Sequence, residues 1–163
     1  MAKPLNEFGG WLRFFQITNI IGVVLLGISI FMSTLAIADF FMEQNYKVVI
    51  ELTVITLDII ITFILTLKIL LVLKIRDECI PVTIRRCLLW ILIFSIIFLG
   101  MEISVVYWIN GGKLLSEDYQ SFKGSIQTVI FCLIWISYFK ISKRVSLYYN
   151  SGNVTIDLAE AQE

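Results

Sequence analysis

The chain has 163 residues, 58% of them apolar and 16% charged, and its mean hydropathy is +0.88. Its 13 lysines and arginines balance its 13 acids, and it has no histidine. That composition excludes an ordinary soluble domain, which is about 45–50% apolar and about 25% charged. It offers no basic surface to nucleic acid, and it lacks the commonest general base and metal ligand.

The apolar residues gather into four blocks without the alternation of barrel strands, so they read as membrane-spanning helices. The predicted spans are 11–38, 48–73, 87–109 and 122–141, within one domain covering residues 1–148. Short polar connections make neighbouring helices antiparallel. The expected fold class is therefore all-α: a polytopic membrane protein built as an antiparallel four-transmembrane-helix bundle.

In the first block, Gly9-Gly10 lets the chain turn sharply, and Trp11 fixes the helix depth at the headgroup layer. Gln16 and Asn19 add polar groups near its start. Thr18, Gly22, Ser29, Ser33 and Ala36 fall within an arc of about 60°. Small residues on one face let another backbone approach closely. This face serves either packing inside the bundle or an interface with a homo-oligomer or larger membrane complex. Ala36-Ile37-Ala38 has the pattern of a signal-peptidase site, but the apolar run far exceeds a secretory core of about 7–15 residues. It is read as a retained span.

The second block places Asp58 inside "TLDIIITFIL". A charge at mid-bilayer costs about 2.5–3.5 kcal/mol on insertion scales, so Asp58 is expected to face other helices. Glu51, Asp58, Thr62 and Thr66 share an arc of about 80°. The third block runs back and carries Glu102 within a few Å of the depth of Asp58 at about 1.5 Å per residue. No lysine or arginine is expected near them, since Lys68 is about 15 Å along the helix from Asp58. Two facing carboxylates repel strongly in low dielectric. They are either a hydrogen-bonded junction between helices two and three, with threonine hydroxyls as partners, or steps of a proton or cation relay. The fourth block adds Gln127 and Thr128 nearer the outer face.

Cys79, Cys87 and Cys132 are odd in number with no C-x-x-C, which supports neither a disulfide scaffold nor a zinc site. After the last block, residues 149–163 are polar and read as a flexible cytoplasmic tail. The "NVT" at Asn153 is treated as chance. Ten lysines and arginines fall on one side of the spans and three on the other. The excess marks the cytoplasmic side and puts both termini there. Trp11, Arg85, Arg86, Lys143 and Arg144 act as topology anchors, the basic ones beside anionic lipid.

The stretches "GGWLRFFQI" (residues 9–17) and "WISYFKISKRVSLYY" (residues 135–149), with four spans between them, resemble the YdgK-like family of bacterial inner-membrane proteins. The resemblance covers nearly the whole chain. It implies a bacterial cytoplasmic membrane location and no particular activity.

No nucleotide loop, nucleophile–base pair or metal motif is present, so no enzyme activity and no cofactor are expected. The expected partner is the lipid bilayer. The leading functional expectation is a small scaffold or accessory subunit acting through helix packing. The alternative is a proton- or cation-coupled carrier using the intramembrane carboxylates Asp58 and Glu102, with Glu51, Asn19 and Thr62 nearby.

Overall fold

A computed structural model describes residues 10–75, 77, 79–113, 118–143 and 145–149. Four helices follow in order: α1 (Trp11–Met42), α2 (Tyr46–Val72), α3 (Ile80–Ile109) and α4 (Asp118–Ile141). Their 32, 27, 30 and 24 residues give lengths of about 48, 40, 45 and 36 Å, each beyond a hydrocarbon core of about 30 Å. All four are long and apolar enough to cross a membrane. No strand occurs among the described residues. The chain is a multi-pass membrane protein folded as a four-helix bundle.

Aliphatic runs form helices in lipid because a helix satisfies its backbone internally. Their ends follow local chemistry. Gly10 caps α1 at φ 56°, ψ −128°, a left-handed conformation that costs glycine little. The α1–α2 turn occupies residues 43–45, with Gln44 at φ 58°. The α3–α4 turn uses Gly111 and Gly112 at φ 64° and 89°, with the Tyr107 hydroxyl 3.4 Å from where a Gly112 side chain would begin.

α3 begins seven residues before the expected position 87, because Pro81 lies in its first turn. Proline is tolerated there, where its missing N–H has no partner to lose. The Asp77 carboxylate closes the preceding turn by accepting the Cys79 N–H at 2.9 Å. Arg85 and Arg86 therefore ride on the helix rather than in a loop.

α1 packs on α2, α2 on α3 and α3 on α4. One end carries Arg13, Lys74, Arg85, Arg86, Lys140 and Lys143, and will be called the basic end; Lys47, Lys113 and Lys123 lie toward the far end. The buried core sits at the basic end. Leu12 and Phe15 of α1 meet Ile69 and Leu73 of α2, Ile84, Leu88 and Ile91 of α3, and Trp135 and Phe139 of α4. Cys87 and Cys132 are buried in this core, while Cys79 is exposed.

Residues 145–149 form a further helical turn that folds back on this end, burying Val145, Tyr148 and Tyr149. The Tyr149 hydroxyl donates to the Leu73 carbonyl at 2.7 Å. That bond satisfies a carbonyl left open at the end of α2. The folded region thus includes Tyr149, which the sequence reading assigned to the tail. Residues 150–163 lie outside the described residues.

Candidate functional site

α1 and α4 meet at the basic end through their aromatic side chains. The Phe15 ring lies 4.4 Å from Trp135, 5.1 Å from Phe139 and 6.2 Å from Phe131, centroid to centroid. Trp11 and Phe14 reach the same Trp135 at 6.4 and 6.2 Å. Beyond this plug the two helices part and leave a cleft. Its walls are α1 and α4, and its floor is α2 and α3.

The cleft has two chambers. The larger, about 680 Å³, lies next to the plug; Thr18, Asn19, Gly22 and Ser29 line it from α1, Thr62 and Thr66 from α2, and Gln127 and Thr128 from α4. The smaller, about 350 Å³, is lined by Asp58 and Thr62 of α2, Phe98 and Glu102 of α3, and Ser125 and Thr128 of α4. Leu26, Thr62, Gly124 and Thr128 line both, so the chambers adjoin. Volumes of about 300–1,000 Å³ are typical of small-molecule sites.

Asp58 and Glu102 converge on the smaller chamber, as the helical period and rise require. Glu102 is only 6% exposed yet lines the chamber, and no hydrogen bond reaches its carboxylate among the described residues. Asp58 has one oxygen, Oδ1, buried with no hydrogen-bond partner. Among the described residues, no lysine or arginine lines either chamber.

The expected threonine partners do not serve the acids. Thr56 donates to the Leu52 carbonyl at 2.6 Å and Thr66 to the Thr62 carbonyl at 2.7 Å. Thr128 donates to the Gly124 carbonyl at 3.1 Å. Within a helix the carbonyl four residues back is the nearest acceptor for a hydroxyl in apolar surroundings. Asn19 is likewise satisfied within α1, its amide donating to the Phe15 carbonyl at 2.7 Å. It belongs to the larger chamber, apart from the acid pair.

The small-residue face of α1 divides. Thr18, Gly22 and Ser29 line the larger chamber, while Ser33 donates back to Ser29 at 2.8 Å, and Ala36 is half-buried. A side chain added at Gly22 would meet nothing within 4 Å. Gly22 is thus not required for helix packing within this chain. Gly124 on the opposite wall has the same free space.

Of the anchors, Trp11 is exposed at the basic end. Arg86 and Lys143 are exposed there, and Arg85 is half-buried, with its Nε unpartnered. Arg144 lies outside the described residues. At the far end the Lys47 ammonium sits 5.7 Å over the Trp108 ring and joins α2 to α3.

A family profile described as "Protein of unknown function (DUF2569)" matches residues 5–149. The chain belongs to the DUF2569 family. Comparison of this DUF2569 chain with curated proteins and with solved structures found no match. The match runs from the segment before α1 through Tyr149, so it includes both the aromatic plug and the folded-back turn.

Proposed function

We propose that this DUF2569 protein is a non-enzymatic membrane protein that binds and carries a proton or a cation at the Asp58–Glu102 pair. The observation that carries this reading is the convergence of the two acids on one chamber, with no lysine or arginine beside them among the described residues. A buried carboxylate that has no protein partner is balanced by a proton or a cation. The aromatic plug closes the cleft at the basic end, and the gap between α1 and α4 leaves the acids within reach of it.

The reading places the protein in a bacterial cytoplasmic membrane with both termini in the cytoplasm. It is supported by the excess of lysine and arginine at the basic end. Reconstituted vesicles test the carrier reading. Proton or sodium flux is expected to depend on protein and to disappear when Asp58→Asn and Glu102→Gln are combined. Flux that survives both substitutions removes the proposal.

A second reading, a scaffold or accessory subunit, is favoured by a different observation. None of the most apolar stretch of α1 is buried, so α1 offers most of its surface to lipid or to another helix. Cross-linking in native membranes is expected to trap α1 against itself or a partner on this reading. Capture of nothing, with a monomer in mild detergent, removes it.

A further inference from the structure

We propose that the smaller chamber takes a monovalent organic cation, an ammonium with an apolar body, which enters from the bilayer between α1 and α4. The proposal rests on the carboxylate reading above and names the class of ligand.

Four features of the chamber select that class. The first is charge without a partner. Glu102 is only 6% exposed, lines the chamber, and meets no lysine or arginine among the described residues. Asp58 faces the same space from α2 with one oxygen unpartnered.

The second is an aromatic face beside that charge. Phe98 and Glu102 are four residues apart on α3 and so lie on one side of the helix. Both line the chamber. A ring next to a carboxylate suits an ammonium whose surface is hydrocarbon, because the ring attracts the charge without needing an N–H donor.

The third is the rest of the wall. Leu26, Val54, Ile55 and Ile59 are aliphatic, and the Thr128 hydroxyl beside them is already engaged with the Gly124 carbonyl of its own helix. A divalent metal ion would find too few oxygens here: calcium takes 6–8 oxygen ligands and magnesium six in octahedral array. No group of three or more histidine, cysteine, aspartate or glutamate side chains is placed to hold a metal among the described residues. The chamber supplies two carboxylates, a few hydroxyls and a largely hydrocarbon wall, which matches an amphiphilic cation.

The fourth is the route. The aromatic plug seals the basic end, so a transmembrane helix cannot lie along the whole cleft. Gly22 and Gly124 leave the cleft open on both walls, and Gly124 lines both chambers. An amphiphilic cation concentrated in the headgroup layer can move sideways into such an opening.

The test uses the full chain in nanodiscs and equilibrium binding of benzyltrimethylammonium. Its neutral carbon isostere, neopentylbenzene, is the control. The ammonium is expected to bind saturably while the isostere only partitions. Glu102→Gln and Asp58→Asn should each weaken ammonium binding about tenfold or more, with the isostere unaffected. Glu102→Asp, which keeps the charge, should retain binding. Gly124→Trp should block it with both acids intact, and an unchanged helical spectrum excludes misfolding as the cause. Ammonium held no better than the isostere, or held equally by Glu102→Gln, overturns the proposal. Vesicle flux separates this outcome from failure of the carrier reading. Sodium or proton flux that needs both acids, with no ammonium binding, keeps the carrier and removes the ligand class. Acid-dependent ammonium binding without any flux keeps the ligand class and removes the carrier.

Discussion

The two halves of the bundle are built from the same apolar helices but solve different problems. At the basic end, large side chains interlock: Phe15 alone touches aromatic neighbours at Phe131, Trp135 and Phe139. In the other half, α1 and α4 face each other with glycine, serine and threonine and do not close. In lipid, apolar residues gain little by burying against one another, because acyl chains are as apolar as leucine. Helices stay together where shapes fit and where polar groups bond. The basic end has both, with ring packing and the Tyr149–Leu73 hydrogen bond. The cleft half has neither between α1 and α4, so the space persists and the acids stay reachable.

The comparison breaks most readily at its tightest point. Phe15→Ala is expected to cost about 3–5 kcal/mol, as large aromatic truncations in packed cores do. Loss of helical signal under denaturant titration in detergent measures it. A cost under about 1 kcal/mol would mean that the plug is not a packed core.

In the cleft half the expected sign reverses. Glu102→Leu removes a buried carboxylate that has no protein partner, so stability should hold or rise by about 1–3 kcal/mol, while cation or proton binding is lost. A large loss of stability would show that Glu102 ties the bundle together and is structural.

Tyr149→Phe sharpens the contrast on a smaller scale. Removing the hydroxyl that serves the Leu73 carbonyl should cost about 0.5–1.5 kcal/mol. Burial pushes the Tyr149 hydroxyl up from its ordinary value near 10. Its folded value therefore exceeds its unfolded one, so its contribution is fully present below about pH 10. Above that pH the unfolded chain ionises first, and stability falls as pH rises toward the folded value. In alkaline denaturation curves, Tyr149→Phe should lack this step.

The smallest effect is expected at the open wall. Gly22→Ala adds a methyl where nothing lies within 4 Å. It should change stability by no more than about 1 kcal/mol, in the stabilising direction that helix propensity gives. A marked loss would mean that another helix already fills the cleft.

Much of this was readable from the residues. Four uninterrupted apolar runs dictate four spans, and the helical period with the rise per residue brings Asp58 and Glu102 together. The helix ends were less legible. Pro81 reads as a loop signal until its position in a first turn is known. The folded-back turn had a signal in the spacing of Val145, Tyr148 and Tyr149, three and four residues apart, which puts them on one face. Polar flanking sequence hid it. The cleft was not legible at all. A face of small residues looks the same whether a neighbouring helix closes on it or stands away, and only the relative placement of α1 and α4 distinguishes the two. The satisfaction of Thr66 and Thr128 by their own helices was likewise open, since a hydroxyl near an acid could have bonded either way.

The central claim is that Glu102, though buried, borders open space rather than packed protein. Ser95 supplies the control: it is seven residues earlier on α3 and fully buried, outside both chambers. Glu102→Cys and Ser95→Cys can be compared in a chain whose Cys79, Cys87 and Cys132 are replaced by alanine. The measurement is the rate of N-ethylmaleimide labelling in nanodiscs. The account predicts labelling at position 102 at least about tenfold faster than at position 95, since access governs thiol reactivity. Equal protection at both positions would contradict it.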